Sequence, residues 1–372
     1  MIGGRSRPLR VGFDGRALVS PAGGVRRYAS ELFRAMASLS DVEVVALGAP
    51  ASAELPAAIT RRPRAIPISS TAGWTHVGLP ATARGASLDL YHGPAYIAPL
   101  WGMPPVVLTV HDVSYARHPE WYPYRRDPFR RAFYRACATR AAGIVTDSKF
   151  SRGEIHAAYG IEPEKISVVP LGVGAAFRPA EGDERSRDAA APYLVHVGDL
   201  HPRRNLDTAV RAVLAVRRAV RDLRELRLVL VGVDRGSRAQ LESHASSAGD
   251  RSCIEFLESV AEHDLATLYR GALALIYPSR YEGFGLPLVE AMACGTPVIA
   301  STASSIPEVV GSAGRLVDPD DLDGFVDAVT AVGSDEALRG RMRLASLERA
   351  RAFTWVRAAE ETVQAYRLAL AR

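Results

Sequence analysis

The sequence predicts an α/β protein built from two doubly wound parallel-sheet domains in series. The first observation is length: 372 residues exceed what one hydrophobic core ordinarily organises, so two domains are expected. The second is alternation. Short apolar runs ending in polar turns alternate with amphipathic helical stretches, the pattern of βαβ units around a parallel sheet. The third is a break in that alternation at residues 178–192, RPAEGDERSRDAAAP, which is polar, charged and without apolar periodicity. These predict a first domain over residues 1–177, a linker over 178–191, a second domain over 192–354 and a final helix over 355–372.

In the first domain LRVGFDG reads as a buried strand, SPAGGV as a loop and RRYASELFRAMASL as an amphipathic helix. VEVVALG, LDLYHG, PPVVLTVHD and AGIVTDS read as further strands, and DPFRRAFYRACATRA as a helix. After the linker the order restarts. YLVHVGDL, LRLVLVGV, SCIEFLE, ALALIYPS, TPVIAS and GRLVDP read as strands; NLDTAVRAVLAVRRAV, HDLATLYRGA, LPLVEAMACG and DLDGFVDAVTAVG read as helices. The closing helix puts Val356, Ala359, Val363 and Tyr366 on one face, which would pack back on the first domain. Ligands of open parallel sheets bind beyond the carboxyl ends of the strands. Polar residues at those ends, facing a cleft between two such domains, are therefore the candidates for function.

Composition excludes several classes. With 48% apolar and 23% charged residues the chain reads as globular, and no apolar run approaches the roughly 18–20 residues that span a bilayer. The opening MIGGRSRPLRVGF has neither the apolar segment nor the cleavage site of a signal peptide. Cys137, Cys253 and Cys294 are odd in number and far apart, fitting neither a disulfide framework nor zinc spacing, so a reducing cytoplasm is expected. Net charge is +5 but uneven: 22 Lys+Arg against 13 Asp+Glu in residues 1–180, and 24 against 28 in the rest. A basic first half fits an anionic partner, either a phosphorylated ligand or an acidic membrane face, and fits equally an Arg-rich composition.

The run SRYEGFGLPLVEAMACGTPVIAS, residues 279–301, carries the clearest chemistry. Gly283 and Gly285 allow close backbone approach to a ligand, and Pro287 suits a first helical turn. The free amides there and the helix dipole favour a phosphate. Glu282 lies before the turn, where it would accept hydroxyl hydrogen bonds or serve as a cap. Glu290 lies within the apolar LPLVEAMAC, where a charge is costly unless paired; it would accept from vicinal hydroxyls such as a ribose's. In VGDLHPRRN, Arg203 and Arg204 sit at a helix entrance, as a diphosphate site requires, or form a surface pair like Arg217 and Arg218. His111 ends the strand VVLTV, where it would position a hydroxyl or be a structural histidine. His92 and His196 read as core. Gly23 and Gly24 precede a helix and would pass close to a phosphate. Asp318 to Asp321 read as loop and N-cap rather than a D-x-D metal site, so no metal is expected. P-loop and strand-linked G-x-G-x-x-G runs are absent. The stretch HPEWYPYRRDPFRRAFYRACATR, residues 118–140, interleaves aromatic and basic residues; it reads as a half-buried helix or as a membrane-contact segment, ahead of nucleic acid.

This constellation resembles glycosyltransferase family 4, the large retaining group with the GT-B fold, over nearly the whole chain. The most specific part is the pair of glutamates in YEGFGLPLVE. GDLHPRRNL resembles the family's phosphate segment, TVHDVSYARHPEWYP the His-Asp segment of bacterial mannosyltransferase-like members, and FDGRALVSPAGGVRRYASEL the N-terminal glycine loop. VTDSKFSRGEI and VVPLGV match their usual places.

The resemblance implies that Glu282 contacts donor-sugar hydroxyls and Glu290 the ribose. Backbone amides of Gly283, Phe284 and Gly285, with Leu286 beside them, surround sugar and phosphate. Arg203 and Arg204 neutralise the diphosphate, His111 holds the donor sugar, and Gly24 sits near phosphates and acceptor. Asp199 departs from the pattern, since an acid beside a diphosphate repels it. The implied activity is metal-independent hexosyl transfer from a nucleotide-diphosphate sugar, GDP-mannose first, to a glycan or lipid-linked acceptor, with no cofactor. Domain closure would exclude water. The competing expectation from another class is a sugar-nucleotide-binding subunit without transfer activity.

Overall fold

The computed structural model describes residues 7–122, 127–180 and 191–372. Most of the expected linker (181–190) and part of the basic aromatic stretch (123–126) lie outside the described residues. The chain divides into two compact units, Met1–Gly172 with Thr354–Arg372, and Val173–Phe353.

In the first unit the strands are β1 (Leu9–Asp14), β2 (Val42–Leu47), β3 (Ile59–Arg62), β4 (Leu90–Gly93), β5 (Val106–Thr109), β6 (Gly143–Thr146) and β7 (Ile166–Val168). They form one sheet in the order β3-β2-β1-β4-β5-β6-β7, every pair parallel. The second unit contains β8 (Tyr193–Val197), β9 (Arg227–Val231), β10 (Ile254–Leu257), β11 (Ala274–Tyr277), β12 (Val298–Ser301) and β13 (Arg315–Val317). Their order is β10-β9-β8-β11-β12-β13, again all parallel. Each order changes direction once, between β1 and β4 and between β8 and β11. That is the switch point at which open parallel sheets bind ligands.

Continuous apolar strands follow from helices covering both faces of a sheet. β6, β11 and β12 are buried at every position. In the second unit Leu194, Leu228, Leu230, Ile276 and Ile299 from the strands pack with Val213 of the helix Leu206–Ala219 and Phe325 of the helix Leu322–Ser334. β3 and β7 have no counterpart in the sequence reading. Both are sheet edges, and β3 buries only Ile59 of its four residues, so it carries no apolar run.

The structure departs from the sequence expectation at two points. Gly23 and Gly24 do not form a loop before the first helix; they are its first residues, Gly23–Met36. The residues before them take up the turn, beginning with a 3-10 segment (Gly15–Val19) capped by the Asp14 carboxylate. In the closing helix, Trp355–Leu370, the buried stripe runs through Trp355, Ala359, Thr362, Val363 and Tyr366. Val356 is 57% exposed, because the stripe centres on Trp355 and Val356 falls beyond its edge. This helix packs within the first unit, where the Tyr366 hydroxyl lies 2.5 Å from Nδ1 of buried His92.

The ends of β8 and β9 approach each other so closely that a Cβ at Gly232 would stand 2.2 Å from the Gly198 carbonyl oxygen, and Gly232 has φ +152. Both backbone and space forbid a side chain there. Gly232→Ala is expected to lose about 2–4 kcal/mol of stability, read from the urea midpoint of the second unit's unfolding; a loss under about 0.5 kcal/mol would contradict this close approach.

Candidate active site

In the second unit the loops that follow β8, β11 and β12 hold the candidate residues. After β8, Gly198 takes φ +138, the chain makes a 3-10 turn over Pro202–Arg204, and Asn205 in the left-handed region opens the helix Leu206–Ala219. After β11 the chain reaches Gly285, at φ +95, and enters the helix Leu286–Ala293 with Pro287 in its first turn. A Cβ at Gly285 would lie 2.8 Å from Leu288 Cδ1. The helix has no side-chain cap, which leaves amides at its start for a ligand.

The loops are tied together by hydrogen bonds. The Arg280 amide donates to the Arg203 carbonyl at 2.8 Å. The Glu282 amide donates to Ser304 Oγ at 2.9 Å, and Ser305 Oγ donates to the carbonyls of Glu282 and Phe284 at 3.0 and 3.2 Å. Arg280 also pairs with Asp320 at 2.6 Å. Asp318 and Asp321 accept from the amides of Asp320 and Gly324, so this acidic run is a turn followed by a helix cap.

Arg204 and Glu282 meet in this setting. Arg204 Nη1 donates to Glu282 Oε1 and to the Tyr277 hydroxyl. Both charges are nearly buried, with side chains 11% and 5% exposed. Arg204 Nε is buried with no hydrogen-bond partner among the described residues. The guanidinium fits because residue 198 is glycine: a Cβ there would lie 3.1 Å from Arg204 Nη2. Tyr277, at the end of β11, stacks on His196 (5.1 Å between ring centres). His196 is fully buried; burial, with the charge of Arg204 adding to it, drives its pKa down to about 3, so it is neutral. Glu290 is buried as well and accepts from the Tyr269 hydroxyl at 3.0 Å. Asp199 pairs with Arg235 at 2.9 Å, so its charge has a local counter-ion. Arg217 pairs with Asp250 at 2.6 Å and is a structural residue.

In the first unit His111 stands just past β5 and Asp147 just past β6. The two strands are neighbours, and His111 Nδ1 lies 2.8 Å from Asp147 Oδ2. Asp147 is buried; burial raises its pKa, and the charge and hydrogen bond of His111 offset part of the rise. For His111, burial pushes the pKa down, but the charge and hydrogen bond of Asp147, with Asp112 and the Pro94 carbonyl, more than reverse it. The net result is a raised pKa. His111 Nε2 is buried without a hydrogen bond among the described residues. Tyr28 meets the imidazole edge-on, 4.7 Å between ring centres at 88°. Gly24 lies one helical turn before Tyr28 on the same helix, and a Cβ at Gly24 would meet nothing within 4 Å.

The structure thus joins Arg204 to Glu282, for which the residues alone suggest separate partners. It adds Asp147, Tyr277, Tyr269 and Tyr28, to which the sequence reading gave no role. Only Asp147 left a signal, as the acid in the polar turn TDS ending an apolar strand.

Residues 179–349 match the family described as Glycosyl transferases group 1, and residues 22–177 match Glycosyltransferase Family 4. O-antigen chain mannosyltransferase B of Escherichia coli is 32% identical over 286 residues, spanning 75% of this chain and 74% of that protein. A D-inositol 3-phosphate glycosyltransferase of Salinispora arenicola (strain CNS-205) is 28% identical over 396 residues, spanning 94% of this chain and 88% of that protein. Among solved structures, sucrose-phosphate synthase from Thermosynechococcus elongatus superposes with a TM-score of 0.78 over 98% of this chain and 100% of that one, at 22% identity. At that identity the likeness speaks to the fold.

The chain belongs to glycosyltransferase family 4, group 1. It is a glycosyltransferase with the two parallel-sheet domains of the GT-B fold.

A nearly buried ion pair is costly to break because the surviving charge is left alone. Arg204→Ala is expected to lose about 3–5 kcal/mol, whereas the double variant Arg204→Ala/Glu282→Ala loses less than either single change. Urea unfolding of the three variants checks this; additive losses would mean that the two side chains do not hold each other.

Proposed function

We propose that this chain is a retaining, metal-independent hexosyltransferase that uses a nucleotide-diphosphate sugar, with GDP-mannose the first donor to test. The observation that carries the reading is the Arg204–Glu282–Tyr277 cluster, tied through the Arg203–Arg280 backbone bond to the loop that opens the helix Leu286–Ala293. Departure of a nucleoside diphosphate from an oxocarbenium-like centre puts negative charge on phosphate oxygens. Preformed donors aimed at that charge supply the largest catalytic contribution. Arg203, the unused donors of Arg204 and the amides of Gly283, Phe284, Gly285 and Leu286 are proposed to receive it, with no metal ion. When Arg204 turns its remaining donors to phosphate, Glu282 accepts from sugar hydroxyls, and Glu290 from the ribose.

His111 is proposed to hold the sugar, and Gly24 to leave room for phosphate or acceptor, since a side chain there would occupy open space. Retention is proposed to proceed by same-face displacement: the acceptor oxygen bonds to the anomeric carbon on the face from which the diphosphate leaves, as the carbon–oxygen bond to the diphosphate breaks, and the departing phosphate takes the acceptor's proton. The mannose choice is supported by the His-Asp segment and by the Escherichia coli relative's name; the acceptor is proposed to be a glycan or lipid-linked saccharide of the cell surface.

A thermal-shift panel of GDP-, UDP- and dTDP-sugars tests the donor. Bound donor at about a hundredfold excess over its dissociation constant stabilises by about 2.7 kcal/mol. The expected result is a shift with GDP-mannose alone, and a shift only with another nucleotide would replace it. Glu282→Gln and Arg204→Gln, scored as folded by circular dichroism, are expected to lower transfer roughly 10²-fold or more; donor binding without transfer or donor hydrolysis in wild type would favour a non-catalytic role.

The enzyme is further proposed to work in the cytoplasm, peripherally at an anionic membrane. No helix among the described residues is long and apolar enough to cross one. The helix Pro128–Arg140 exposes Phe129 (85%) together with Arg130, Arg135 and Arg140, a mixture suited to an acidic lipid surface. The chain is expected to sediment with phosphatidylglycerol vesicles and not with phosphatidylcholine, and Phe129→Asp/Arg135→Glu to release it. Binding indifferent to lipid charge would remove this reading.

A further inference from the structure

The first unit contains a buried polar chain that the proposed chemistry does not use. The Tyr366 hydroxyl in the closing helix lies 2.5 Å from His92 Nδ1 in β4. His92 Nε2 lies 2.7 Å from Thr109 Oγ1, at the end of β5. Thr109 Oγ1 lies 2.7 Å from the Tyr28 hydroxyl in the helix Gly23–Met36. Each of the four residues is at most 2% exposed. Burying four polar side chains is costly unless each is paired, and an apolar core of the same volume would serve stability as well or better.

The chain ends on His111. The Tyr28 ring packs perpendicular to the imidazole, and its hydroxyl is fixed by Thr109, two residues before His111 in sequence. Asp147 fixes the imidazole at Nδ1. The imidazole is therefore held by a hydrogen bond at one nitrogen and by a perpendicular aromatic ring whose own position is set by the buried chain. His92 is neutral, because burial, with the charge of His111 adding to it, lowers its pKa to about 3. A neutral imidazole donates at one nitrogen and accepts at the other, so it links Tyr366 to Thr109 without placing a second charge near His111.

We propose that Tyr366, His92, Thr109 and Tyr28 are positioning residues that hold the His111 imidazole at its working angle, with the closing helix as the far anchor. The inference rests on the reading of His111 as the residue that holds the donor sugar.

Nitrogen-15 imidazole NMR of the donor-free protein reads His111 directly, with His111→Gln assigning its signals. The variants are Tyr366→Phe and Thr109→Val, with Thr109→Ser as the conservative control. Tyr28→Phe, which keeps the ring and removes the hydroxyl, serves if Thr109→Val does not fold. The groups that face His111 are Asp147, Asp112, His92, Tyr28, Tyr96 and the Pro94 carbonyl. All survive in Tyr366→Phe, so a changed signal there reports geometry and not a deleted charge.

The expected result is that the His111 resonances broaden or shift and its titration midpoint moves by roughly 0.5 unit or more, with Thr109→Ser restoring the wild-type signal. With GDP-mannose as donor, kcat is expected to fall roughly tenfold while KM stays within about twofold. Unchanged His111 signals in folded variants that merely melt earlier would overturn the proposal, leaving the chain a structural feature of the core. Full transfer by His111→Gln would instead remove the sugar-holding reading while the NMR result stood.

Discussion

Parallel pairing with a single reversal in the order of strand addition is the constraint on which the rest of this structure depends. Parallel neighbours require a crossover, and crossovers on one side of the first strand use one face of the sheet while those on the other side use the opposite face. No helix then covers the carboxyl ends of the two strands at the switch, and their loops are free to converge. β8 and β11 are those strands in the second unit. Arg204 follows one and Glu282 follows the other, so residues 78 positions apart become hydrogen-bonded partners. Adjacent strands do the same in the first unit, where β5 and β6 deliver His111 and Asp147 to each other.

Burial then decides what those side chains must do. A charge withdrawn from water needs a partner, and each buried acid described here has one: Glu282 has Arg204, Glu290 has the Tyr269 hydroxyl, and Asp147 has His111. The partners also fix the side chains of Arg204 and His111 in place. Arg204 is fixed by Glu282 and Tyr277 while its Nε has no hydrogen bond among the described residues; His111 is fixed at Nδ1 while its Nε2 has none among them. Preorganised donors with spare capacity are what the proposed departure of a diphosphate would use. The glycines at 198 and 232 serve the same end, since side chains there would displace the arginine or the adjoining loop.

Much of the architecture was legible in the residues. Strands in the middle of each sheet are covered on both faces, so they appear as unbroken apolar runs, and the helices between them show their period. β3 escaped because an edge strand with one buried residue has no such run. The glycine–proline turn around Glu282 and Glu290 was legible because few other structures need those residue types at that spacing. Tyr277 and Tyr269 were not, since a tyrosine in an apolar strand or helix looks like core until its hydroxyl is seen to meet a particular charged group, Arg204 for one and Glu290 for the other. Val356 lies outside the buried stripe because a helical pattern fixes a face only to within one residue at its margin.

The sequence by itself determined the two-domain α/β class, the family and the strand-end location of the candidate residues. These follow from local periodicity and from residue types whose backbone or charge has few alternative uses. Tertiary structure alone decided which of those residues meet: that Arg204 grips Glu282, that Asp147 orients His111, that Asp199 is answered by Arg235, and that a tyrosine near the end of the chain reaches His92. Such pairings depend on strand order and register across long stretches of chain, and no local pattern of residues encodes them.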